Sequence, residues 1–139
     1  MPDQNPRSGT SPLLTSIEAQ LFVPDIEASC AFFVEKLSFK VVFTFGEPPF
    51  YAQVKRDAAK LNLRHVDRSP FVDGIRERES LLAATITVGG AAELRELFAT
   101  YRACGVEFHQ TFKHQAWGAC DFIVRDPDGN LLLFAGPAG

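Results

Sequence analysis

FIVRDPDGNLLLF spans residues 122–134 and sets two apolar runs on either side of Asp126-Pro127-Asp128-Gly129-Asn130. Pro fixes one backbone dihedral, Gly tolerates a left-handed one, and Asp and Asn bond to their own backbone, so these five residues read as a hairpin turn. Two antiparallel strands, 119–125 and 131–134, follow from it. Upstream, residues 106–112 read as another strand, and Gly105 stands where a helix end favours a left-handed residue. Before it, residues 91–103 carry Leu94, Leu97, Phe98 and Tyr101 at helical spacing. Gly89-Gly90 is a turn and residues 81–88 a strand. The C-terminal half is therefore βαβββ.

The N-terminal half repeats that order. Polar and apolar residues alternate over 16–23, as in a half-buried strand. Pro24-Asp25 ends it, and Asp25 can cap a helix in which Ile26, Cys30, Phe33 and Leu37 share one face. Strands follow at 39–45, which is rich in β-branched and aromatic residues, and at 50–55 and 59–64. Val23, Asp25 and Phe33 precede Val88, Gly90 and Phe98 by 65 residues each. This internal repeat predicts an α+β fold of two βαβββ modules, about 16–65 and 81–136, whose mixed sheets enclose a cleft lined from both halves. Residues 66–80, charged and holding Pro70 and Gly74, read as a long surface connection. Residues 1–13 read as a disordered tail and 14–139 as one domain.

Composition narrows the function classes. The formal net charge is −3 and the basic residues form no cluster in sequence, which argues against nucleic acid as a partner. No apolar run approaches the roughly eighteen residues a membrane span needs. The first fourteen residues lack a signal peptide's basic start and apolar stretch, and three cysteines without CxxC spacing suggest no complete disulfide framework. A cytoplasmic location is expected. Thirteen Phe against one Trp and two Tyr leave an excess of apolar rings for a core or a binding groove to absorb.

VPDIEASCAFFVEKLSF, residues 23–39, resembles the first strand and helix of the vicinal oxygen chelate superfamily, which includes glyoxalases, bleomycin resistance proteins and dioxygenases; Phe33 stands where Tyr is common. The DPDGN hairpin resembles that family's closing strand pair. The layout, with FGEPPFYAQVKRD and WGACDFIVRDPDGN, is most similar to bleomycin resistance proteins. Enzymes of the superfamily hold a divalent metal with four cleft-facing residues. The resemblance puts those positions at Glu18, Asn62, Ala83 and Leu133. Ala83 and Leu133 have no donor atom and Asn62 is a weak neutral ligand, so no metal or other cofactor is expected. What the resemblance then implies is a homodimer that sequesters a small molecule, such as a cationic or aromatic antibiotic, without transforming it. The alternative is a metal-dependent lyase, isomerase or dioxygenase-related enzyme that draws a ligand from elsewhere.

The candidate ligand-binding residues each have a plainer reading. Glu18 either neutralises a cationic ligand or faces solvent. Phe45, Phe50, Tyr51, Phe112 and Phe122 line a cavity or fill the core. Trp117 stacks on a flat ligand or supports a loop. Gln20, Asn62 and Arg64 supply the few directional contacts an apolar pocket needs, unless they point outward. Cys120 widens the cleft or packs in the core. His65, His109 and His114 lack metal-like grouping and read as surface histidines. No nucleophile–base order and no phosphate-binding glycine loop is present.

Overall fold

The computed structural model describes residues 11–138. It has eleven elements: β1 Ala19–Val23, α1 Ile26–Leu37, β2 Lys40–Phe45, β3 Tyr51–Arg56, β4 Ala59–His65, α2 Ile75–Glu79, β5 Leu82–Thr87, α3 Ala91–Ala103, β6 Glu107–His114, β7 Ala119–Arg125 and β8 Leu131–Pro137. They form two four-stranded mixed sheets with matching orders, β1-β4-β3-β2 and β5-β8-β7-β6. In each, the first strand runs parallel to the last and the other pairs are antiparallel. The repeated βαβββ order predicted from the sequence is therefore present as two modules.

Local chemistry sets the ends of these elements. Asp25 accepts from the Ala28 amide at 3.0 Å and begins α1, and Gly105, at φ +81°, follows the end of α3. At the closing hairpin, Asp126 Oδ1 accepts from the Asp128 and Asn130 amides, and Gly129 takes φ +84°. Three expectations shift. β1 starts at Ala19 rather than residue 16, because its pairing with β4 begins at Ala19 and Leu61, and Ile17 is left 95% exposed. The connection 66–80 contains the short helix α2, whose residues are all unburied, so no apolar period announced it. β8 runs three residues further than expected, since Ala119 and Cys120 of β7 continue the ladder with Pro137 and Gly136. Residues 1–10 of the expected disordered tail lie outside the described residues.

One core joins the modules. Leu21, Val23, Phe33, Leu37, Val54 and Leu63 from the first pack in the same cluster as Leu94, Tyr101, Phe122, Val124, Leu132 and Phe134 from the second. The helix-bearing faces of both sheets thus share the interior. Polar contacts cross the same seam: the Tyr101 hydroxyl donates to Leu37 O at 3.1 Å, Arg56 Nη1 donates to both, and Lys36 Nζ donates to Cys104 O at 2.8 Å. Burial pushes the Tyr101 phenol above its ordinary pKa, despite the guanidinium beside it. The opposite face of the first sheet is open, with Phe43 43% and Phe45 70% exposed.

α2 is pinned near the closing hairpin. Arg76 donates to Asp128 O and Asn130 Oδ1, while Glu77 takes a two-pronged contact from Arg125 and lies 3.5 Å from His109 Nδ1. The hydrogen bond from Arg125 holds the Glu77 carboxyl below the usual carboxylate range. A carboxylate with a depressed folded pKa contributes stability above its unfolded value, and loses it as pH falls through the folded one. Because Glu77 is 41% exposed, solvent screens the pair and the effect is small. Glu77→Gln is accordingly expected to shift the thermal midpoint slightly at pH 7 and not at all at a pH well below the carboxylate range, as measured by unfolding scans at the two pH values.

Candidate binding face and its family

Strand register decides which candidates meet. Residues paired across strands share a face, so Gln20, Asn62, Gln53 and Phe43 form one row on the open side of the first sheet, and Phe22, Arg64, Tyr51 and Phe45 form the next. Within these rows Gln20 Nε2 donates to the Tyr51 hydroxyl at 2.9 Å, and Gln53 Nε2 donates to Asn62 Oδ1 at 2.9 Å. Tyr51 stacks on Phe43 with centroids 6.2 Å apart, and the Arg64 guanidinium lies 5.2 Å from the Phe50 centroid. The structure therefore brings Gln20, Phe45, Tyr51, Asn62 and Arg64 to one face, while Phe50, just before β3, packs on His65 with centroids 6.2 Å apart. Glu18 borders it, lining a cavity of about 410 Å³ with Lys60, Ala84 and Thr85 where the edges of the two sheets meet.

The other candidates go elsewhere. Phe122 and Cys120 are 0% exposed and belong to the core, because their strand parity turns them toward α3. Phe122 stacks on Phe134 at 5.2 Å and meets Phe98, Phe108 and Tyr101 edge-on or tilted. Phe112 is half-buried against Phe98 on the same side, under the Arg95 guanidinium. These three offer no surface to a ligand on the open face. Trp117 is 74% exposed in the turn before β7. Cys120 Sγ lies 3.3 Å from His114 Nδ1, but the thiol is enclosed, so the pair presents no accessible nucleophile.

Sequence reasoning missed Phe43 and Gln53, although Gln53 follows from its pairing with Asn62 once the hairpin 51–65 is drawn. It also missed a third row. Lys40, Lys55 and Lys60 are direct partners across β2, β3 and β4, on the same open face.

The positions at which the resemblance places a metal can now be tested. Glu18 offers a carboxylate, though it already accepts from the Ser16 hydroxyl. Asn62 is 7% exposed and its oxygen is occupied by Gln53. Ala83 and Leu133 carry no donor. Among the described residues no three His, Cys, Asp or Glu side chains gather into a group that could hold a metal ion. The side chains present do not fit a four-donor divalent site.

The sequence pattern of the Glyoxalase/Bleomycin resistance protein/Dioxygenase superfamily matches residues 15–134. The chain belongs to that superfamily. Solved structures agree on the fold. A superfamily protein from Alicyclobacillus acidocaldarius superposes with a TM-score of 0.71 at 18% identity, over 88% of this chain and 91% of that one. The lactoylglutathione lyase of Agrobacterium tumefaciens gives 0.68 at 18%, over 91% and 96%. The bleomycin-binding protein of Streptomyces verticillus, solved with copper(II)-bleomycin, gives 0.68 at 20%, over 93% and 99%. At these identities the likeness establishes the superfamily's architecture alone. No curated protein sequence matches the chain significantly. Both an enzyme and a drug-binding protein thus share this fold, and the side chains of the site must separate them.

Proposed function

We propose that this protein binds a small aromatic or amphipathic compound on the open face of its first sheet and does not transform it through a metal. The observation that carries the reading is the pairing of an aromatic surface with a donor-poor metal position. Phe43, Phe45 and Tyr51 stand exposed or half-exposed beside the Gln53–Asn62 amide pair, while two of the four superfamily metal positions are Ala83 and Leu133. Flat rings gain from stacking on such a surface, and the amides orient them. Exposed apolar residues gathered on one face of a soluble domain commonly mark a binding surface. A second copy of the chain closing over the face, with the ligand between, would make a homodimer of the kind the resemblance implies.

Sequestration of an antibiotic is one form of this reading, supported by the shared fold with a bleomycin-binding protein. No described helix is long and apolar enough to cross a membrane, which fits a ligand taken up from water. The enzyme reading keeps one supporting observation, the shared fold with a lactoylglutathione lyase.

The reading is tested by titrating chelator-treated protein with a neutral aromatic probe, 2-naphthylmethanol, and following amide signals by NMR. The shifts are expected to gather at Gln20, Tyr51, Gln53 and Asn62. Tyr51→Ala is expected to weaken binding about tenfold, roughly 1.4 kcal/mol, with the remaining spectrum unchanged. Shifts confined to other parts of the chain, or none at all, would sink the proposal.

A further inference from the structure

The open face of the first sheet is basic in a chain whose formal charge is −3. Lys40 pairs with Lys55, and Lys55 with Lys60, so three ammonium groups stand in one row across β2, β3 and β4. Arg64 lies on the same face two residues along β4 from Asn62 and four from Lys60. None of these four forms an ion pair among the described residues. Glu18, one position before the Ala19–Leu61 pair, comes beside Lys60 and lines a cavity with it without forming an ion pair, its carboxylate taking the Ser16 hydroxyl, so Lys40 and Lys55 are the two ammonium groups with no carboxylate beside them in the row. Like charges placed directly opposite each other in a sheet repel, so the row costs stability when empty. An arrangement of that kind is relieved by a bound anion. The aromatic rows of Phe43, Tyr51 and Phe45 continue from the lysines along the same face.

Resting on the binding reading above, we infer that the ligand of this face is an aromatic anion, its ring on Phe43 and Tyr51 and its carboxylate, sulfonate or phosphate over Lys40, Lys55 and Lys60. This reverses the expectation of a cationic ligand that the resemblance and Glu18 carried, and it is not opposed by the formal charge of −3, which belongs to the whole chain rather than to the face. Charge on the face acts at contact distance, whereas the net charge is spread over the surface and screened within about 10 Å.

Three probes of one shape separate charge from ring: 2-naphthoate, 2-naphthylmethanol and 2-naphthylmethylamine, each titrated into the intact protein by calorimetry or amide NMR. The expected order of affinity is carboxylate, then alcohol, then amine, with the carboxylate's advantage shrinking as salt is raised from 50 to 500 mM. Lys40→Gln, Lys55→Gln and Lys60→Gln are each expected to weaken naphthoate about twofold to fivefold and to leave the alcohol unchanged. Their thermal midpoints should stay level or rise, because the substitutions remove repulsion, so a loss of binding cannot be assigned to unfolding. Equal binding of all three probes, or a naphthoate affinity that survives the triple lysine variant, overturns the anion assignment while leaving the binding face in place. Binding of none of the three overturns the face itself and the assignment with it.

Discussion

Phe122→Ala is expected to lower the unfolding free energy by about 3–5 kcal/mol, the range for deleting a large buried ring. The thermal midpoint of a domain this size should fall by roughly 10–20 °C. The ring is wholly enclosed and sits at the centre of an aromatic cluster: stacked on Phe134 at 5.2 Å, tilted against Phe98 at 5.4 Å, and edge-on to Phe108 at 5.7 Å and Tyr101 at 6.2 Å. Removing it leaves a cavity bordered by groups fixed in two strands and a helix, which limits how far the site can collapse. The sequence allowed Phe122 to be a ligand contact. That role predicts the opposite result, with stability nearly unchanged and ligand binding lost. Thermal or urea unfolding of the variant, with and without an aromatic probe, distinguishes the two.

Asp126→Ala is expected to cost about 2–4 kcal/mol, because it removes the acceptor on which the closing hairpin is built. Asp126 is 2% exposed and its two oxygens take the Asp128 amide, the Asn130 amide and the Asn130 side-chain amide at 2.8–2.9 Å. Truncation leaves the donors of Asn130, itself 3% exposed, without partners. Burial raises the Asp126 carboxyl above its ordinary pKa even though those three bonds and Arg76 pull it down. A carboxylate raised in the folded state takes up a proton there more readily than in the unfolded chain. This group's contribution therefore declines as pH rises from the unfolded pKa through the folded one. Asp126→Asn should abolish that dependence and cost less than Ala, since the retained oxygen still serves the two backbone amides. Unfolding curves across the acid range measure both effects.

The fold was legible because turn chemistry and periodicity agreed. The DPDGN turn, the Asp25 cap and the 65-residue repeat each fixed an element independently, and their consistency left one arrangement of two modules. The site was legible only in part. Gln20, Asn62 and Arg64 were identified as polar groups on strands, and their common face follows from alternation alone. Cys120 and Phe122 were misplaced because β7 is buried along nearly its whole length, so polar and apolar residues do not mark its two sides; Phe112, on β6, turns toward Phe98 of α3 instead of toward a cleft. The lysine row was hidden for another reason. Lys55 and Lys60 pair across the same hairpin as Gln53 and Asn62, but Lys40 comes from β2, where a register shift between Val41 and Phe43 means that simple counting assigns the wrong partners. Only the β2–β3 ladder itself brings Lys40 to them.

The most direct test of metal-free binding is the thermal midpoint of chelator-treated protein with 2-naphthoate and, separately, with Zn²⁺ or Ni²⁺. Any ligand that binds the folded state alone raises the midpoint, by an amount that grows with the logarithm of its concentration over its Kd. A rise with naphthoate that persists in excess chelator is expected, and none with either metal. A rise with the metals alone would contradict metal-free binding and return the protein to the metal-dependent enzymes of its superfamily.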